Sequence, residues 1–116
     1  MKKLGSILVA ALLAAFLIGC QGGKPADMDQ ETYDLAQEAI VVGKGCVSGE
    51  TNLDDAARRL GAIHDELEAY APVHSSSHTV VETYVLCMEM EALGATGDFD
   101  KSEMQEYVTN LEEACK

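Results

Sequence analysis

Positive charge is scarce in this 116-residue chain: eight Lys and Arg stand against 20 Asp and Glu, for a formal net charge of −12. A surface so acidic repels phosphate backbones and anionic headgroups, so nucleic acid is not an expected partner and no basic patch can hold the chain on a membrane. Strand signals are equally sparse, and tryptophan is absent. Nothing resembles a nucleophile elbow, a Gly-rich phosphate loop or an HExxH helix. No two cysteines form a CxxC pair, and none of their spacings matches a zinc or haem site. The chain is therefore expected to be non-catalytic and to carry no cofactor. An acidic surface serves solubility first, and it would also steer in a cationic protein partner.

What is present begins at the N-terminus. Met1-Lys2-Lys3 is basic, residues 4–18 are almost uninterruptedly apolar, and the run closes on Leu17-Ile18-Gly19-Cys20. The apolar stretch falls short of the roughly 20 residues that a spanning helix needs. A basic start, a short apolar core and small residues at the end make an export signal. Leu17-Ile18-Gly19-Cys20 resembles the lipobox of bacterial lipoproteins. That resemblance covers residues 1–20 and names a processing route, not a fold. It implies removal of residues 1–19 as a signal peptide and a diacylglyceryl group, with palmitate-type acyl chains, on the thiol of Cys20. A thiol is the most nucleophilic side chain for such a thioether, and two or three acyl chains anchor stably where one does not. Gln21 follows, where an Asp would favour inner-membrane retention in a diderm bacterium. The outer membrane is expected in a diderm, otherwise the outer face of the cell membrane.

Cleavage would remove Lys2 and Lys3 and take the net charge from −12 to −14. Residues 20–28 hold Gly22, Gly23 and Pro25 and read as the lipidated cysteine followed by a flexible tether. Residues 29–116 are long enough for one domain with a modest core.

Four amphipathic segments divide that domain. The first covers residues 29–43, with Asp29 as N-cap, a face of Tyr33, Ala36, Ile40 and Val41, and Gly43-Lys44-Gly45 as its stop. The second covers 52–70, capped by Thr51 or Asn52 and stopped by Pro72. Its stripe of Leu53, Ala56, Ala57, Leu60, Ile63, His64, Leu67 and Tyr70 is the clearest in the chain. The third covers 76–93 after three serines, with Gly94 as C-cap. Val80, Val81, Tyr84, Val85, Cys87, Met88 and Leu93 give it a wide apolar face, so it is expected to be the most buried helix. The fourth covers 100–115, where Asp100 and Glu103 form a capping-box pattern and Phe99 and Met104 occupy staple positions. The fold class is all-α, an antiparallel up-and-down four-helix bundle. A 51-residue offset aligns Glu31-Thr32-Tyr33 with Glu82-Thr83-Tyr84, Leu35, Glu38 and Gly43 with Leu86, Glu89 and Gly94, and Leu53 and Leu60 with Met104 and Leu111, as a duplicated helical hairpin would and as amphipathic helices of biased composition also do by chance.

Cys46, Cys87 and Cys115 remain after lipidation, in a compartment that can oxidise them. With Cys46 in the first loop and Cys87 about 9 Å below that end of the third helix, Cys46–Cys87 is the expected bridge. Cys87–Cys115 is the second choice, and three reduced thiols packed as small hydrophobes are the alternative. A leftover Cys115 would be a surface thiol or a link between two copies. His74, His78 and Glu82 are four apart and form a weak metal pattern, but the serines between the histidines place a helix start there. The bland reading is polar surface. The four tyrosines fall one per helix and read as core or boundary packing.

Overall fold

Each helix begins where a side chain takes up the free N–H groups of its first turn. The computed structural model describes residues 24–70, 75–95 and 97–116 and is all-helical, with no strand among the described residues. Helix α1 spans Gln30–Ser48, α2 Leu53–Ala69, α3 Ser76–Leu93 and α4 Lys101–Ala114. Asp29 accepts from the Thr32 amide, Asn52 from Asp54 and Asp55, Ser75 from His78, and Asp100 from Ser102 and Glu103. Such a cap contributes about 1 kcal/mol. Gly49 at φ 83° and Gly94 at φ 71° end α1 and α3 in the left-handed conformation that glycine adopts without a Cβ clash.

The first helix does not stop at Gly43. It continues through Lys44, Gly45 and Cys46 to Ser48. Gly43 is a packing residue, not a terminator: a Cβ there would lie 2.5 Å from Val108 Cγ2 and 2.6 Å from Met88 Cε. Gly45 has a similar reason, because Thr51 folds back over it, and the Thr51 amide donates to the Gly45 carbonyl at 3.1 Å. Two helix-weakening glycines thus sit within α1 because neighbouring chain passes too close for a side chain.

Helices adjacent in sequence pack against each other, and α4 closes back on α1. Helix α1 also crosses to α3, whereas α2 and α4 do not meet. The core they enclose contains Ala36, Ala39 and Val42 from α1, Leu60 and Leu67 from α2, Val81, Val85 and Met88 from α3, and Met104, Val108 and Leu111 from α4. A fully buried Leu or Met contributes about 1.5–3 kcal/mol. On the surface, Lys44 of α1 pairs with Glu112 of α4 at 2.8 Å, an exposed contact of about 0–1 kcal/mol.

The folded unit begins before residue 29. Met28, expected in the tether, is 1% exposed and belongs to the core. Its amide donates to the Pro25 carbonyl, and Lys24 Nζ donates to the Met28 carbonyl at 2.7 Å. Asp27 accepts from the amide and hydroxyl of Ser77 at the start of α3. The apolar Met28 side chain thus seals one end of the bundle.

The 51-residue correspondence extends to the packing only in part: Leu60 and Leu111 are both fully buried, but other pairs differ. Thr32 and Leu35 are buried, while Thr83 and Leu86 are exposed. Gly43 lies inside α1, whereas Gly94 caps α3. Equal residues in unequal environments are what helical periodicity and biased composition produce without duplication.

Gly43→Ala would ordinarily favour a helix by about 0.5–1 kcal/mol. Here the methyl must displace Val108 and Met88, and overpacking of that kind costs about 1–3 kcal/mol. The variant is expected to unfold at lower denaturant concentration with an unchanged slope. An equal or higher midpoint would show that the seam has slack.

Candidate functional site

Cys20 and His74 lie outside the described residues. The other expected site residues are placed, and they do not converge. All three described cysteines are free. The expected Cys46–Cys87 bridge is not formed, because α1 runs on through Cys46 and carries it out of the loop from which it was to reach α3. Cys46 is buried within range of the Arg59 charge on α2, and burial pushes its thiol pKa up. Cys87 is half-buried on the α4 side of α3, where it is felt by Tyr107. Cys115 is not a surface thiol: it is buried against Gln37 of α1, and burial pushes its pKa up to about 11. Each thiol serves a different seam as a small hydrophobe.

His78 is not polar surface either. Its ring is buried, with Nε2 3.0 Å from the Leu67 carbonyl and Nδ1 2.8 Å from Thr32 Oγ1. A carbonyl only accepts, so Nε2 carries a hydrogen, and the Thr32 hydroxyl serves Nδ1. Both nitrogens are occupied, which removes His78 from the His74, His78 and Glu82 metal pattern. The ring instead ties α1, α2 and α3 together at the Met28 end. Asp29 extends the network. Partial burial pushes its carboxyl pKa up, but hydrogen bonds from Thr32 and Tyr70 outweigh this and hold it below the usual range. Elsewhere His64, Asp65 and Glu68 bring donor atoms within 4.8 Å of one another on the outside of α2. Two of the three are fully solvated carboxylates, and surface acids commonly cluster this way.

At the opposite end, the expected capping box is completed by a neighbouring helix. Glu103 does not close it. The Asp100 amide donates to Glu91 Oε2 of α3 at 2.8 Å, and Glu91 is only 4% exposed. Glu103 instead hydrogen-bonds Glu91. That bond, and then the Glu91 charge, raise the Glu103 pKa above its ordinary 4.5. Two carboxyls can share a hydrogen bond only when one holds a proton.

The feature that fits a binding role lies on α3. His78, Val81, Val85, Met88 and Ala92 face inward, and all are buried. Ser76, Thr79, Thr83, Leu86, Met90 and Leu93 face outward, and all are exposed. Both sets repeat at intervals of three and four, two positions out of phase, and so lie on opposite sides of the helix. The helix expected to be most buried therefore presents an uncharged face to solvent, with Leu93 at 63% exposed. Beside it α2 and α3 enclose an open groove of about 480 Å³, lined by Asp54, Ala57, Arg58, Gly61, Ala62, Asp65, Glu89 and Leu93. The Glu89 carboxylate of α3 lies over Gly61, where an added Cβ would meet Oε2 at 3.0 Å. The face read from the sequence held Val81, Val85 and Met88 of the inward repeat and only Leu93 of the outward one, leaving out Leu86 and Met90. Separating the two repeats by phase would have exposed the second.

No protein-family model, curated protein or solved structure matches the chain.

The Glu103–Glu91 hydrogen bond gives a signed pH dependence. A folded-state pKa raised above 4.5 means that the folded protein holds a proton the unfolded chain has released. Stability from this proton is complete below about 4.5 and is lost as pH rises through the folded value. Glu103→Gln supplies a permanent donor, so its stability relative to wild type is expected to improve as pH rises from 4.5 to 7 in thermal melts. A parallel pH profile for the two proteins would show that the pair is not linked to folding.

Proposed function

We propose that this chain is a membrane-anchored bacterial lipoprotein whose small acidic bundle acts without catalysis, as a binding or structural module of the cell envelope. The observation that carries the binding role is the uncharged outer face of α3 on a chain with 20 acids and eight bases. Its apolar end, where Leu86, Met90 and Leu93 lie exposed together, is the kind of patch that marks an interaction surface. The anchor rests on Lys2-Lys3, the apolar residues 4–18 and Leu17-Ile18-Gly19-Cys20. No helix among the described residues is long and apolar enough to cross a membrane.

We read the bundle as antiparallel and up-and-down. Supporting pairs run in opposite order along neighbouring helices: Gln37 meets Cys115 while Lys44 meets Glu112, and Leu67 meets His78 while Gly61 meets Glu89. In this arrangement the Met28 end faces the membrane that holds Cys20. Gln21 in place of Asp favours the outer membrane of a diderm bacterium, or otherwise the outer face of the cell membrane.

A second reading is an envelope inhibitor or immunity protein that neutralises a cationic enzyme or toxin. The mature charge of −14 favours it, since opposite charge speeds encounter. Its mark is an association rate with the cationic protein that falls as salt rises, and a salt-independent rate removes it.

Intact mass of the protein extracted from its own membranes tests the anchor. The expected species begins at Cys20, carries a diacylglyceryl group, and takes up three alkyl groups when denatured without reduction. An unlipidated chain retaining Met1 overturns the lipoprotein reading. Fewer than three alkyl groups before reduction, with the rest appearing after it, would show a bridge among Cys46, Cys87 and Cys115.

A further inference from the structure

We propose that the outer face of α3 and the adjoining α2–α3 groove dock one kind of occupant: an amphipathic helix from another protein, with an apolar ridge flanked by Lys or Arg. The proposal deepens the binding-module reading and rests on it.

The outward positions of α3 advance by 3, 4, 3, 4 and 3 residues from Ser76 to Leu93. That is the spacing of one side of a two-helix seam, in which knobs from a second helix fill the spaces between these side chains. The core of the bundle does not need them, because the inward repeat already supplies α3's share of it. A stripe at this register, kept free of charge over five turns, is complementary to a helix. A lone exposed leucine would not be.

The stripe is graded. Ser76, Thr79 and Thr83 bring hydroxyls and methyls, and Leu86, Met90 and Leu93 bring the apolar bulk. Leu86 and Met90 are 39% and 41% exposed, so each offers area to a partner without leaving its own packing. Methionine adapts to the partner's shape. The groove beyond Leu93 is lined by the small residues Ala57, Gly61 and Ala62, with the Glu89 carboxylate lying over Gly61.

Charge selects the occupant. On the α2 side, the stripe is bordered by Glu82, Glu89, Asp54 and Asp65. The cation among the groove residues, Arg58, already pairs with Asp55. A helix with Lys or Arg on its flanks would answer these carboxylates while its ridge covers Leu86, Met90 and Leu93. A second copy of this chain would set acid against acid between two bodies of charge −14, so it does not fit. An anionic membrane is repelled for the same reason.

The test uses the full protein as extracted from its membrane, in phosphatidylcholine nanodiscs, with empty discs as the blank. Three labelled 18-residue helical peptides serve as probes: a Leu ridge with Lys flanks, the same ridge with Glu flanks, and Lys flanks on a Ser ridge. The Leu/Lys peptide is expected to bind above the blank, and the other two at least tenfold more weakly. Leu86→Glu with Met90→Glu is expected to weaken the Leu/Lys peptide at least tenfold while leaving the helical circular dichroism unchanged. A photocrosslinker in place of Met90 should capture that peptide in wild-type background, which keeps the test informative if the double variant misfolds. Absence of binding above the blank, equal binding by the Ser-ridge peptide, or undiminished binding to a folded double variant each overturns the proposal. Crosslinks from position 90 to a second copy would replace the proposed occupant with a dimer. A lipidated intact mass together with any of these failures leaves the lipoprotein standing and removes only this docking site.

Discussion

Helix α1 must touch all three of its neighbours, and that requirement governs the rest of the bundle. In a square of four helices the diagonal pairs are ordinarily too far apart to pack, since neighbouring axes already lie about 8–10 Å apart. Here α1 and α3 meet across one diagonal, while α2 and α4 stay apart across the other. Ala36, Ala39 and Gly43 make this approach possible by presenting almost no side chain on α1. Met88 and Val108 fill the space that Gly43 leaves. The square is thereby squeezed into a rhombus, and the core is thin enough for small residues to fill it. This shape also explains the unused face of α3. A helix already in contact with α1, α2 and α4 over one side has nothing left within the bundle to cover the other.

The two ends of the molecule hold together by different chemistry. At the Met28 end, neutral and charge-assisted hydrogen bonds converge: His78 joins Thr32 to the Leu67 carbonyl, and Asp29 and Asp27 accept from neighbouring helices. Among the described residues no buried side-chain N or O is left without a partner. Such satisfied networks fix one arrangement of the elements they join. At the far end, the Asp100 amide donates to the buried Glu91 carboxylate and closes the α3–α4 corner, and Glu91 beside it raises the Glu103 pKa. The two ends thus answer pH in opposite senses: the lowered carboxyls of Asp27 and Asp29 lose their contribution as pH falls, and the raised Glu103 carboxyl as pH rises.

Local signals in the sequence carried the helices well. The caps at Asp29 and Asp100 and the stop at Gly94 were legible outright, and Asn52 and Ser75 as one choice among neighbouring candidates, because each depends on a residue type at a fixed offset from a periodic stripe. Tyr33 is buried, and the other three tyrosines are half-buried at the boundary, as their spread over the four helices implied. What failed was non-local. Gly43 looks like a terminator until Val108, 65 residues later in the chain, is known to press against it. Met28 reads as linker because its neighbours do, and only the packed end shows that a hydrophobe was needed there. His78 sits at a helix start, a polar place by rule, yet three helices close around it. The duplicate periodicity of α3 was present in the letters, but a wide apolar face has two explanations, deep burial or two separate surfaces, and local pattern does not choose between them.

The seating of Met28 sets how the domain stands on a membrane. Three residues separate Cys20 from Lys24, so with the lipid at Cys20, as proposed, about 14 Å of extended chain is all that lies between acyl chains and folded protein. So anchored, the bundle would stand as a short post, not as a float on a line. Leu93 lies 17 residues along α3 from Ser76, which puts the apolar end of the stripe roughly 25 Å along the helix from the Met28 end. A molecule mounted this way patrols a thin layer just above the bilayer, confined to two dimensions. Its capture radius favours neighbours embedded in the same sheet over anything diffusing through the bulk.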